Sequence, residues 1–142
     1  IDSSISLVSG LISKNKISLD IVYDIDKSTN ILVSQSKLNQ VLLNIYKNAM
    51  DELTERNITG AILKIEIDED SKYVNIKISD NAGGVPKEIL KKIFDPYFST
   101  KAKNGTGIGL YMSKLIIENK FNGQLLVKNT KIGAMFIIKL PK

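Results

Sequence analysis

Two asparagines stand four residues apart in the run Asn44-Ile45-Tyr46-Lys47-Asn48-Ala49. On a helix that spacing puts both amides on one face, and Gln40 extends the stripe. An amide oxygen is a hard donor of the kind magnesium accepts when it keeps its waters and bridges substrate phosphates. A pair of this sort taken alone is more often plain helix surface. Further along, Asp80-Asn81-Ala82-Gly83-Gly84 follows a stretch in which Val74, Ile76 and Ile78 alternate with polar residues. Asp80 shares their parity, so in a strand its carboxylate points to the core side. A carboxylate placed there requires a hydrogen-bond partner. A purine amino group, directly or through a bridging water, is one such partner, and Gly83 and Gly84 let the backbone turn and approach a ring closely. The alternative is an ordinary turn with an exposed acid. A third run, Phe94-Asp95-Pro96-Tyr97-Phe98, leads into Ser99-Thr100-Lys101; its rings fit core packing at least as well as a functional segment. The fourth, Gly105-Thr106-Gly107-Ile108-Gly109-Leu110, precedes a helical pattern. A helix start offers unpaired N–H groups and a positive dipole end to phosphate. The spacing is neither the dinucleotide fingerprint nor a Walker A loop, which needs Gly-Lys-Ser/Thr. By itself it is equally a flexible turn; following the Asp80 loop closely, it reads as a phosphate cradle. Lys101 or Lys103 would then reach the terminal phosphates as a point charge.

Four motifs in this order resemble the ATP-binding catalytic domain of bacterial sensor histidine kinases, within the gyrase/chaperone/histidine-kinase/mismatch-repair ATPase superfamily. The resemblance extends from about Ser36 to the end of the chain. It implies a Bergerat ATP-binding fold, a two-layer α/β sandwich with a mixed, mostly antiparallel sheet of about five strands and about three helices on one face. It implies ATP and Mg2+ as ligands, with Asn44 and Asn48 as the catalytic pair and Asn48 on the metal. Asp80 matches the adenine-reading aspartate, and Gly84, Lys101, Gly105, Thr106, Gly107, Gly109 and Leu110 fall among the nucleotide-binding positions. Ala82 stands where the family often has Gly. A second departure is Asp51, followed by Glu52, where many sensor kinases carry a base that meets phosphate. Hydrolysing relatives such as gyrase carry a glutamate in the place of Asn44 to activate water. An amide cannot act as that general base, which favours transfer to a protein over hydrolysis.

The elements that position these residues are legible in outline. Ile5, Leu7, Val8, Leu11 and Ile12 give a first helical stretch over about 3–14, which can equally be the end of a helix continuing from an upstream dimerisation domain. Ile17, Leu19, Ile21 and Tyr23 alternate as a half-buried strand, and Ile31-Leu32-Val33 reads as a short second one. Ser34 or Ser36 caps a helix that runs to about Arg56, with Leu38, Val41, Leu42, Ile45, Ala49 and Leu53 on one face. Strands are expected over 61–69 and 73–79. Pro86 suits the first turn of a short helix reaching about Phe94. The stretch 94–104 reads as a loop, with 99–104 as a compact lid. A helix over 106–120 and a terminal hairpin, 123–129 with 134–140, complete the pattern.

Composition bounds the rest. The 142 residues suit one domain with a sizeable core. The net charge of +5 is spread over the whole length, so the lysines read as solvated surface rather than a nucleic-acid patch. No apolar run is long enough to span a bilayer, so no direct membrane contact is expected of this domain, and the cytoplasm is its expected compartment. The chain contains no Cys and no His. No phosphorylated histidine can therefore lie in this chain, and the resemblance implies that it belongs to a separate dimerisation and phosphoacceptor domain of a homodimeric parent, with a response regulator downstream. Two other readings share the fold: a serine kinase of the anti-sigma-factor type, and a scaffold that binds partners without nucleotide.

Overall fold

The longest helix is built by its apolar spacing. In the computed structural model, which describes residues 1–100 and 106–142, α2 spans Gln35–Glu55. Its buried residues Val41, Leu42, Ile45, Tyr46, Ala49, Met50 and Leu53 recur every three or four positions, the stripe of a helix with one face in a core. Ser34 stands at the N-cap, its side chain accepting from the Lys37 N–H at 3.5 Å. The helix stops where Asn57 turns into the left-handed region at φ 52°.

Before it come α1, Asp2–Lys14, and β1, Ser18–Asp24. After it come β2, Ile62–Glu69, and β3, Tyr73–Asp80. A short α3, Lys87–Leu90, is followed by α4, Gly109–Leu115, which runs on into a π-helical turn, Ile116–Lys120. The chain closes with β4, Gln124–Asn129, and β5, Ala134–Pro141.

The five strands form one sheet in the order β1-β2-β3-β5-β4. Only β1 and β2 run parallel; α2 supplies the crossover such a pair requires. The other pairs are antiparallel, with Ile65 opposite Ile78 and Ile78 opposite Phe136. Leu63, Ile65, Val74, Ile76, Ile78, Ile138 and Leu140 line the inner face and meet α2 in a single core. On the outer face Lys64 pairs with Glu66 at 3.0 Å, and Lys77 with Asp68. One apolar and one charged sheet face make two layers. α1 is fastened to this body by Val8 and Ile12 in the core and by a buried 3.3 Å contact of the Ser4 hydroxyl with Tyr46.

The expected two-layer sandwich with five strands is the observed one. Three local expectations change. Residues 31–33 form no strand: Ile31 and Val33 pack against the core while Leu32 is fully exposed, so the alternation is real but no neighbouring strand pairs with it. The helix expected from residue 106 begins at Gly109, because Gly107 sits at φ +67° and cannot belong to a right-handed helix. The helix expected to reach Phe94 ends at Leu90, with Pro86 as its N-cap rather than inside its first turn.

Candidate nucleotide-binding site

Asp80 is the last residue of β3 and keeps the inward parity of that strand, so it is only 8% exposed. Its Oδ1 accepts from the Ala82 N–H at 2.9 Å and the Ala134 N–H at 3.4 Å. Burial pushes its carboxyl above the usual carboxylate range, and the two N–H groups and the charge of Arg56 oppose that rise. Neither bond uses Oδ2, and Asp80 lines a cavity of about 430 Å³. The backbone after it turns through Gly83 and Gly84, at φ +96° and +84°. Gly133 packs on the other side. A Cβ there would lie 1.9 Å from the Asp80 carbonyl oxygen and 2.7 Å from Oδ1, so any side chain at 133 would displace the acid.

The polar stripe of α2 forms the opposite wall. Asn44 and Asn48 both line the cavity, as do Lys47, Asp51, Glu52 and Arg56. Asn44 is engaged within the protein: its Nδ2 donates to the Gly109 carbonyl at 3.2 Å and to the Ser113 hydroxyl at 3.1 Å. Ser113 is buried and donates to the same carbonyl at 2.8 Å. The amide thus straps α2 to the first turn of α4. Asn48, half-buried, carries the remaining amide on this wall.

The third wall is the start of α4. Thr106, Gly107, Gly109 and Leu110 line the cavity. Ile108 at the N-cap provides no side-chain acceptor, so the first-turn N–H groups are left for another partner. Gly107 is held by the aromatic run: its carbonyl accepts from the Tyr97 N–H at 2.9 Å. A Cβ at 107 would lie 2.3 Å from the Tyr97 carbonyl carbon. Phe94 packs edge-on against Phe136 at 6.3 Å and under the Lys114 ammonium at 4.8 Å, which is the core-packing role its ring suggested.

The structure therefore gathers Asn44, Asn48, Asp80, Ala82, Gly84, Thr106, Gly107, Gly109 and Leu110 around one cavity. Lys101, Lys103 and Gly105, with residues 101–104 of the expected lid, lie outside the described residues; Ser99 and Thr100, the first two residues of that expected lid, line the cavity. Four contributors escaped the sequence reading. Lys47 brings a cation to the wall beside Asn48. Arg56 donates to the Ala82 carbonyl at 2.7 Å. Asn129 pairs with both backbone groups of Val85, at 2.8 and 2.6 Å. Gly133 makes room for Asp80. For Lys47 the adjacency to Asn48 was a usable signal; the other three act across long sequence separations and carry none.

The donor set fits magnesium. Among the described residues no cluster of three acidic or sulfur and imidazole ligands exists, whereas the hard amide oxygen that Asn48 brings to the wall of the 430 Å³ cavity suits an ion that takes one or two protein ligands and completes its shell with phosphate and water.

Residues 33–142 match the family model described as histidine kinase-, DNA gyrase B-, and HSP90-like ATPase. The sequence is 34% identical over 110 residues to the two-component sensor PprA of Pseudomonas aeruginosa, covering 74% of this chain and 12% of that protein. It is 38% identical over 129 residues to the signal transduction histidine-protein kinase AtoS of Escherichia coli, covering 87% and 20%. The fold superposes on the catalytic domain of histidine kinase ThkA with a TM-score of 0.87 at 27% identity, covering 99% of this chain and 90% of that one. The chain spans between 12% and 29% of the length of the curated relatives it matches. No helix among the described residues is long and apolar enough to cross a membrane. The chain belongs to the histidine kinase-, DNA gyrase B- and HSP90-like ATPase family, as an ATP-binding domain of the histidine-kinase kind.

Proposed function

We propose that this domain binds Mg-ATP and positions its γ-phosphate for transfer to a histidine on a separate dimerisation domain of the same parent protein. The observation that carries the reading is the gathering of Asn48, Asp80 and the Gly107–Leu110 turn around one cavity. Asp80 accepts a hydrogen bond from the adenine amino group, and Gly83 and Gly84 supply the positive-φ turn that carries the chain away from it. The first-turn N–H groups of α4 and the Lys47 ammonium receive the phosphates, together with Lys101 from the lid. Asn48 would hold the magnesium, which supplies neutralisation of phosphate charge when bound. Asn44 keeps α4 at a fixed distance from Asn48, and as an amide it activates no water. Transfer of this kind rests on positioning and charge neutralisation more than on covalent chemistry by the protein. In this reading the parent is a cytoplasmically acting homodimer that hands its phosphoryl group to a response regulator. ThkA, which has been solved in complex with the response regulator TrrA, superposes on this chain with a TM-score of 0.77 at 25% identity.

The test mixes the chain with γ-labelled ATP and the segment of its own gene that carries the acceptor histidine. The expected result is acid-labile, base-stable label on that segment, formed slowly because mixing lacks the effective concentration of a linker. The chain alone takes up no such label, since it has no histidine. Label on serine of a separate protein would assign the anti-sigma-type kinase instead, and rapid hydrolysis with no labelled protein would reject phosphotransfer altogether.

A further inference from the structure

We propose that Arg56 is a positioning residue for the nucleotide site, a clasp that holds the Ala82–Gly84 loop against the end of α2 and so keeps Asp80 in the geometry the purine reads. The proposal rests on the nucleotide-binding reading above. Arg56 is the first residue past α2, and it lines the cavity. Its Nη1 donates to the Ala82 carbonyl at 2.7 Å and to the Gly84 carbonyl at 3.2 Å. Its Nη2 pairs with Glu52, one helical turn back, at 2.9 Å. The guanidinium thus bridges the helix wall and the loop wall with a planar fork of donors that a lysine ammonium does not reproduce.

The loop needs such a tie. Its two carbonyls flank Gly83, and both Gly83 and Gly84 have positive φ, the residues with the most backbone freedom to lose on ordering. On the side away from α2 the loop is fastened to the β4–β5 turn, by the Gly83 N–H on the Ile132 carbonyl at 2.9 Å and by Asn129 on Val85. Arg56 fastens it from the helix side, passing 3.3 Å from the position of a Cβ on Gly83.

The clasp also acts through charge. The ionic groups that α2 and its C-cap present to the cavity are Lys47, Asp51, Glu52 and Arg56. The residues that face Asp80 from β2 and β5 are Leu63, Gly133 and Ala134, which carry no charge. Arg56 is the charged group that lowers the Asp80 carboxyl against the effect of its burial. Loss of the guanidinium both frees the loop and lets Asp80 take up a proton at higher pH.

The experiment measures ATP binding to the full chain by calorimetry from about pH 4 to pH 8, for wild type, Arg56→Met and Arg56→Lys, with circular dichroism as the check on folding. Arg56→Met is expected to weaken ATP about tenfold, the scale of a lost hydrogen bond to a charged group, and to move the acid limb of the binding profile to higher pH. Arg56→Lys is expected to weaken ATP severalfold while leaving the acid limb in place. In the reconstituted phosphotransfer reaction both variants raise KM for ATP and leave kcat within about twofold. A folded Arg56→Met variant with unchanged affinity and an unmoved acid limb overturns the proposal. If that variant fails to fold, wild-type affinity in Arg56→Lys overturns it. Absence of ATP binding by the wild-type chain itself would strike down the nucleotide reading, and this inference with it.

Discussion

At Asp80 binding and stability pull in opposite directions. Its carboxyl titrates above the usual range because burial disfavours the ionised form. The folded state therefore holds a proton more tightly than the unfolded chain, and stability from this group falls as pH rises through the raised value. At neutral pH the ionised acid costs stability. Asp80→Asn removes that cost while its amide oxygen still accepts the Ala82 N–H. The variant is expected to unfold in urea at or above the wild-type midpoint at pH 7, with the difference vanishing on acidification below about pH 3.8. ATP affinity is expected to fall by roughly 1–3 kcal/mol, measured by calorimetry. A variant that loses both stability and binding would show that the acid serves the fold. The parity of Val74, Ile76 and Ile78 made the inward direction of Asp80 legible in the sequence. The closeness of Gly133 was not, because it depends on β5 lying beside β3, which no local pattern encodes.

At the scale of elements, the site is a joint between α2, the loop after β3 and the start of α4. Gly107 holds that joint together. It occupies positive φ, its carbonyl binds the Tyr97 N–H, and a Cβ would collide with the backbone of Tyr97 and Phe98. Gly107→Ala forces either strain of about 1–3 kcal/mol or movement of the turn. We expect ATP affinity to drop about tenfold or more, and the thermal midpoint to fall by several degrees where the folded state carries the strain. A variant that binds ATP normally would mean the turn does not shape the phosphate site. The sequence marked the glycines as a cradle, but the tie to Tyr97 joins two motifs that the linear reading kept apart. Asn44 is similar: its spacing to Asn48 gave its face, and only the packing of α4 gave the Gly109 carbonyl and Ser113 hydroxyl as its partners.

The whole molecule rests on one core shared by α2 and the inner sheet face, so damage far from the cavity should register globally. Leu42 is fully buried in that cluster. Leu42→Ala is expected to cost 2–5 kcal/mol, roughly the range for a buried leucine, seen in urea unfolding as a lower midpoint with unchanged slope. A slope that also changed would point to a loosened native or denatured state instead. The sequence by itself made the fold class legible, because the periods of its apolar residues match one long helix and a set of half-buried strands, the pattern of a two-layer α/β sandwich, and its four motifs resemble a family with that fold. It also determined the four polar and glycine motifs, since each depends on neighbours within a few residues. The tertiary structure decided which segments found partners: residues 31–33 alternate like a strand yet pair with none, and Gly107 delays α4 by its left-handed turn. It decided, too, that Arg56, Asn129 and Gly133 belong to the site. Their roles arise from hydrogen bonds and close approaches between residues distant in the chain, and those contacts come into existence only when the sheet has assembled around its core.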